Sequence, residues 1–371
     1  MHAAEGRAHQ RRIGPGSRSL RRCSQPCRKG ATTGSGTSNA GVSTIAGLAV
    51  RAELSCLETR VTLVNCEQPR EFARRNCRSP AVTYRHLELY YAIPGMGAVC
   101  HTMNPRLAPD DIGYSLNRAE DQAAFVDLSF VSLMDKLAPR LPKLRRVVFL
   151  CTEADLPSSI AGVSLYAYEK LLAEAKEEPD WPVFDEDTAS ALSYTSGTTG
   201  RPKGVLYGHR AQLLHAMAVN SADAIALRSS DRALSCAAMF HAAGWGVPHS
   251  APMAGTSLIL PGRHLDPASL VRLIDEEAPS YACGVPAIWL GVLQELRERG
   301  VRSRTLKRIG SGGSAVPHAL IEGFAALGVC VQHAWGMTET SPPVFDRASD
   351  SAEHASVSRL CYDIYAISKA Q

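Results

Sequence analysis

Short apolar runs alternate with longer segments that carry helix start and stop signals through most of this chain. Strands are predicted at Ala123–Asp127, Arg146–Leu150, Ser257–Leu260, Tyr281–Gly284, Leu306–Gly310 and Val329–Ala334. Predicted helices lie at Pro109–Asn117, after a cap at Asp266 with Pro267 in the first turn, and from Pro286 to about Glu298, where Gly300 stops it. A further helix, Pro317–Leu327, has proline at its first position and Gly328 as its stop. Strands that alternate with helices of this size predict an α/β fold with largely parallel sheets covered on both faces. No period of 20 to 50 residues repeats, which argues against a solenoid. A length of 371 residues allows two or three domains, and a hydrophobic fraction of 45% suits a packed globular protein.

The densest chemistry lies at Ser193–Gly204, which reads Ser-Tyr-Thr-Ser-Gly-Thr-Thr-Gly-Arg-Pro-Lys-Gly. Thr188–Thr195 suits one strand and Gly204–Tyr207 another, so Ser196–Lys203 becomes the loop between them. Ordinary hairpin loops run to about 2 to 5 residues. A longer glycine-rich loop lets backbone N–H groups converge on an anion, with hydroxyls from Thr195, Ser196, Thr198 and Thr199, freedom at Gly197 and Gly200, and charge from Lys203. A plain surface linker is also rich in Ser, Thr and Gly, but it is not ordinarily framed by a strand on each side. The spacing does not match the Walker loop, which requires Gly, four residues and then Gly-Lys-Ser/Thr before a helix. A polyphosphate such as that of ATP is the ligand this loop predicts.

The strand, helix, strand unit from Leu306 to Ala334 is predicted to be a parallel crossover, so both strands end on one edge of the sheet. Ser311-Gly312-Gly313-Ser314 and Trp335-Gly336-Met337-Thr338-Glu339 follow those ends. Ligands of open α/β sheets bind at that carboxyl edge, so the two loops are expected to face a common crevice. Gly312 and Gly313 permit close backbone approach, Trp335 offers a flat face for a base, and Thr338 supplies a hydroxyl. Glu339 supplies a carboxylate; magnesium takes one or two protein carboxylates and completes its shell with phosphates and water.

Together these stretches resemble the adenylate-forming superfamily: acyl-CoA synthetases, firefly-type luciferases and peptide-synthetase adenylation domains. Ser193–Gly204 resembles its phosphate-binding signature and Gly312-Gly313-Ser314 its adenine-side turn. Gln332–Glu339 is similar to its Tyr-Gly-x-Thr-Glu segment, with Trp335 in the tyrosine position. Met239-Phe240-His241-Ala242-Ala243-Gly244-Trp245 resembles its acyl-site motif, in which His241 gates or lines the carboxylate channel. Trp245 and Val247 either line the acyl tunnel or pack in the core. Tyr84–Leu107 is similar to the first subdomain of fatty acyl-CoA ligases. The resemblance implies the layered αβαβα domain of that superfamily. It also implies AMP-forming activation of a fatty acid or other carboxylic acid by ATP with Mg2+, and coenzyme A as co-substrate. By the same resemblance Thr195, Lys203, His241, Thr338 and Glu339 are catalytic. Residues 195–200, Lys203, 312–314 and 335–338 hold the nucleotide, and Glu339 holds the metal. Luciferase-like oxidation and amino-acid adenylation remain alternatives within the superfamily.

Both ends depart from that pattern. Residues 1–80 carry 14 Lys and Arg against 5 Asp and Glu, a balance of +9, whereas the whole chain is +4. A basic, disordered and non-homologous segment, or one read from a shifted frame, is the expectation there. An organelle transit peptide, with residence in the matrix rather than the cytoplasm, and a nucleic-acid arm are the alternatives. Residues 81–343 are expected to be a partial adenylation domain. Residues 344–371 are expected to be a divergent tail, without the Thr-Gly-Asp segment, the hinge or the lysine-bearing C-terminal domain. Impaired ligase turnover, or a noncatalytic nucleotide and acyl binding remnant, follows from that expectation.

Five of the eleven cysteines precede residue 80, and Cys23 and Cys27 have no second pair to complete four ligands. The others read as buried small hydrophobes in a reducing compartment. No apolar run of about 18 residues predicts a spanning helix, which leaves peripheral membrane contact open. No specific nucleic-acid partner is expected, and oligomeric state is not legible.

Overall fold

A computed structural model describes residues 60–64, 81–175, 181–195, 201–222, 224–262, 264–340 and 344–347. The strands among them form two sheets. The first contains β1 (Arg60–Val64), β2 (Val99–Met103), β3 (Ala123–Val126), β4 (Arg146–Phe149), β5 (Ser164–Ala167), β6 (Ala189–Tyr194) and β7 (Gly204–Gly208). Their spatial order is β5-β4-β3-β1-β2-β6-β7, parallel throughout except for the antiparallel pair β6 and β7. The second contains β8 (Arg232–Ser235), β9 (Ser257–Ile259), β10 (Tyr281–Gly284), β11 (Arg308–Gly312), β12 (Cys330–Trp335) and β13 (Val344–Arg347). Its order is β13-β12-β11-β10-β8-β9, antiparallel only between β12 and β13. The α/β class with largely parallel sheets is thus the architecture observed.

Parallel neighbours need long crossovers, and the helices supply them. In the second sheet, helices Pro267–Glu277, Pro286–Arg299 and His318–Ala325 connect β9 to β10, β10 to β11 and β11 to β12. Leu270, Val271 and Ile274 of the first helix and Trp289, Val292, Leu293 and Leu296 of the second share a core cluster. Leu320 and Phe324 of the third join them on Leu234, Ile309 and Val331 of the strands. The spacing of three and four residues presents one face of each helix to the sheet. Each fully buried Leu or Phe there contributes about 1.5–3 kcal/mol. Asp266 caps its helix by accepting from the Ser269 amide at 2.9 Å, and Gly300 ends the next helix in the left-handed conformation.

Several boundaries differ from the sequence expectation, those of the strands through pairing. β11 runs through Gly312 and β12 through Trp335, because Gly312 pairs with Ala334 and Trp335 with Val344. Glycine weakens an isolated strand, so the sequence pattern stopped β11 early; a neighbour on each side carries it further. Pro317 stands at the helix cap rather than at its first turn. Arg60–Val64, within the segment expected to be disordered, instead forms a strand paired with β2 on one side and β3 on the other. Val344–Arg347, within the expected tail, pairs back on β12. No helix among the described residues is long and apolar enough to cross a membrane.

Candidate functional site

The hairpin of β6 and β7 holds the two ends of the Thr/Gly-rich loop together. Tyr194 pairs with Gly204, the Thr195 amide donates to the Lys203 carbonyl at 2.9 Å, and the Lys203 amide donates to Thr195 Oγ1 at 3.3 Å. Thr195 and Lys203 are therefore adjacent, and the Lys203 side chain is exposed. Ser196, Gly197, Thr198, Thr199 and Gly200 lie outside the described residues. Arg201, the other cation of the segment, sits over the Tyr114 ring at 4.8 Å from its centroid. Beneath the hairpin, His101 of β2 donates or accepts through Nδ1 at 2.7 Å from Asp121 Oδ2, with both side chains buried. The His101 ring lies 5.1 Å from that of Tyr194, the residue before Thr195.

The second sheet delivers the other two stretches to one edge. β11 and β12 are parallel, so Gly312-Gly313-Ser314 and Trp335-Gly336-Met337-Thr338-Glu339 emerge side by side. Gly312 is required sterically: a Cβ there would fall on the Ala334 carbonyl oxygen, far inside contact distance. Gly313 has φ +80°, a left-handed conformation that glycine adopts at no cost. Ser314 and Gly336 are exposed, and Trp335 is 42% exposed. Met337 and Thr340 close a turn: the Met337 amide donates to Thr340 Oγ1 at 3.1 Å, and the Thr340 amide returns to the Met337 carbonyl at 3.2 Å. Glu339, within that turn, projects its exposed carboxylate.

A hydrogen bond from the hairpin reaches the turn that bears Glu339. The Tyr207 hydroxyl of β7 donates to the Thr338 carbonyl, 131 positions along the chain. Burial pushes the Tyr207 phenol upward, and the nearby Glu339 carboxylate raises it further. The β6–β7 hairpin therefore meets the edge of the second sheet where the paired glycines and the Glu339 turn emerge. Tyr207 carried no motif signal in the sequence, because its partner is set only by the meeting of the sheets.

The Met239–Trp245 stretch follows β8 and bends sharply. Gly244, Trp245 and Gly246 all have positive φ, at +63°, +58° and +71°. For tryptophan this conformation is strained, and such strain persists only where packing fixes it. A Cβ on Gly313 would lie 3.6 Å from the Trp245 ring, so the stretch abuts the glycine turn. Trp245 and Val247 are buried with Val219, Ile225, Tyr281 and Ala334, which is core packing. His241 is exposed, and the part of its ring removed from water lowers its pKa.

Beside this stretch lies a cavity of about 540 Å3, within the range of small-molecule pockets. Tyr90, Tyr91, Leu213, Ala216, Pro252 and Met253 contribute to its apolar wall. Neither His241 nor Trp245 lines it; its polar wall comes from Thr102, Ser190, His209, Gln212 and His249 among others. The Thr102 hydroxyl donates to the Phe240 carbonyl at 3.4 Å, and the Tyr90 hydroxyl donates to the Met239 carbonyl, which ties the cavity to the motif next door. Sequence reasoning missed these lining residues, since helices 81–95 and 209–219 show no periodic apolar face that marks a pocket. No group of three or more His, Cys, Asp or Glu that could hold a metal occurs among the described residues, and a magnesium shared with phosphates requires fewer.

Residues 82–365 match the family model described as AMP-binding enzyme. The chain belongs to the AMP-binding enzyme family. This AMP-binding enzyme is 45% identical over 260 residues to the medium-chain-fatty-acid–CoA ligase of Ectopseudomonas oleovorans, covering 70% of the chain and 47% of that relative. It is 42% identical over 261 residues to a long-chain-fatty-acid–CoA ligase of Thermus thermophilus, covering 70% and 46%. The chain spans about half the length of the curated relatives it matches. Among solved structures it is similar to the anthranilate CoA ligase AuaEII in complex with anthranoyl-AMP (TM-score 0.70, 20% identity), covering 84% of this chain and 56% of that one. It is likewise similar to the N-terminal domain of FACL13 from Mycobacterium tuberculosis (TM-score 0.65, 23% identity), covering 81% and 68%. At such identities these structures speak to the fold of this AMP-binding enzyme.

Proposed function

We propose that this chain carries the nucleotide and acyl sites of an AMP-forming acid–CoA ligase for medium- or long-chain fatty acids. The convergence of three separated stretches on one edge, joined by Tyr207 and Thr338, is the observation that carries the reading. In it, Thr195 and Lys203 grip the phosphates together with residues 196–200. Gly312, Gly313 and Ser314 frame the adenine, Trp335 stacks on it, and Gly336, Met337 and Thr338 complete the rim. Such stacking is worth about 1–3 kcal/mol. Glu339 would hold Mg2+, which neutralises charge on the phosphates. The apolar cavity takes the acyl chain, and His241, on the stretch beside that cavity, serves the carboxylate end. Adenylation joins a carboxylate oxygen of the acid to the α-phosphorus of ATP and releases pyrophosphate; coenzyme A then displaces AMP to give the thioester.

Relatives named for medium- and long-chain fatty acids support the substrate class. Calorimetric titration of the chain with ATP and Mg2+, followed by a pyrophosphate assay with octanoic and palmitic acids, tests the proposal. Micromolar nucleotide binding that weakens at least tenfold in Trp335→Ala is the expected result. An absence of any nucleotide binding would overturn it, and binding without pyrophosphate release would reduce it to a binding module.

A further inference from the structure

Both described ends of the Thr/Gly-rich segment bear on one helix, Pro109–Ala119, or on the residue that follows its cap. Ile112 and Leu116 of that helix share a core cluster with Ala124 and Val126 of β3 and with Val147 and Phe149 of β4, so the helix is fixed to the first sheet. Tyr114 between them is half-buried, and its ring carries the Arg201 guanidinium 4.8 Å from the centroid. Asp121, just beyond the helix, donates its amide to the Leu116 carbonyl at 3.2 Å and holds His101 through its carboxylate at 2.7 Å. The His101 ring in turn lies 5.1 Å from that of Tyr194.

A guanidinium over an aromatic face is held by the ring's charge distribution, and it gives up water more readily than an ammonium does. The tie from that ring to the hairpin is short. Only Pro202, buried and with its φ fixed by its own ring, separates Arg201 from Lys203. Lys203 is bonded to Thr195 twice, through the Thr195 amide at 2.9 Å and Thr195 Oγ1 at 3.3 Å. A displacement of Arg201 therefore reaches both residues to which the phosphates are assigned.

We infer that Tyr114 is a positioning residue for the nucleotide site, acting through Arg201, and that Arg201 anchors the hairpin rather than meeting the phosphates. The inference rests on the nucleotide reading of that hairpin. Lys203, whose side chain is exposed, is then the cation that the segment presents to the ligand.

Calorimetric titration with ATP and Mg2+ of the full chain, of Tyr114→Leu, of Arg201→Gln and of the double variant tests this. Each single change is expected to weaken ATP binding about two- to fivefold, and the double change no further than either, because both cut the same tie. Tyr114→Phe keeps the ring face and should bind ATP as the parent chain does. A ring that only packs would lower the urea midpoint in Tyr114→Leu and leave ATP affinity where it was, which overturns the inference. A loss confined to Arg201→Gln, or losses that add, also overturns it and places Arg201 on the phosphates. Arg201 is exposed, so its exchange disturbs no core, and parent-like affinity in Arg201→Gln decides against the anchor whether or not Tyr114→Leu folds. Failure of the parent chain to bind ATP overturns the nucleotide reading and this inference together.

Discussion

At Gly312 there is room for a hydrogen and nothing larger, because the Ala334 carbonyl stands where a Cβ would be. We expect Gly312→Ala to push β11 away from β12 and to cost at least about 1–3 kcal/mol, read as a lowered midpoint in urea unfolding. A midpoint equal to that of the parent chain would show that the strands part easily. Tyr207→Phe removes one oxygen and strands the Thr338 carbonyl. A loss of about 1–3 kcal/mol in stability and weaker ATP binding, with unchanged far-ultraviolet dichroism, is the outcome expected. The paired glycines were legible in the sequence because close backbone approach has few other uses. Tyr207 was not, since a tyrosine in a strand reads as ordinary sheet composition until its distant partner is known.

Among the elements, β1 tests how far pairing decides the fold. All five of its residues pair with β2, and Val61–Val64 pair with β3 as well, so proline at Thr62 would remove an amide from the middle of the sheet. Thr62→Pro should abolish the cooperative unfolding transition; a chain that melts as before would mean that β1 is dispensable. Strands bounded by glycine, proline or a cap, such as β10 and β11, could be read from sequence to within two residues. A five-residue strand without such boundaries, amid basic sequence, could not, and neither could β13, which is held by its partner.

The buried histidines on helices 81–95, 209–219 and 247–253 give the elements a pH signature. Desolvation lowers His86 to about 3 and His215 and His249 to about 4, from an ordinary value of 6.5. Below 6.5 the unfolded chain takes up protons that the folded chain refuses, so stability is full above that pH and is lost as pH falls toward 4 and then 3. Urea midpoints measured from pH 7.5 to 5 should decline, and His86→Phe should flatten part of that decline. An identical slope in the variant would remove His86 as a source.

Across the whole molecule, tyrosine hydroxyls sew the first sheet and its helix to the segments around the second. Tyr90 reaches Met239, Tyr91 reaches Pro248 and Tyr207 reaches Thr338. Nucleotide bound at such a junction should raise the stability of both halves as one unit. At a hundred times its dissociation constant, ATP with Mg2+ is expected to add about 2.7 kcal/mol to a single thermal transition. Two transitions, only one of which moves, would separate the halves. Alternation of strands and helices made the α/β class readable, but the order β5-β4-β3-β1-β2-β6-β7 depends on long-range pairing that no local pattern encodes.

The hydroxyl that fastens β7 to the turn bearing Glu339 carries a thermodynamic corollary. If Glu339 meets the divalent ion and the β6–β7 loop the triphosphate, as proposed, this strap means that settling either one restrains the other. Divalent ion and nucleotide should then strengthen each other's affinity by the same factor, and cutting the strap should shrink both effects equally.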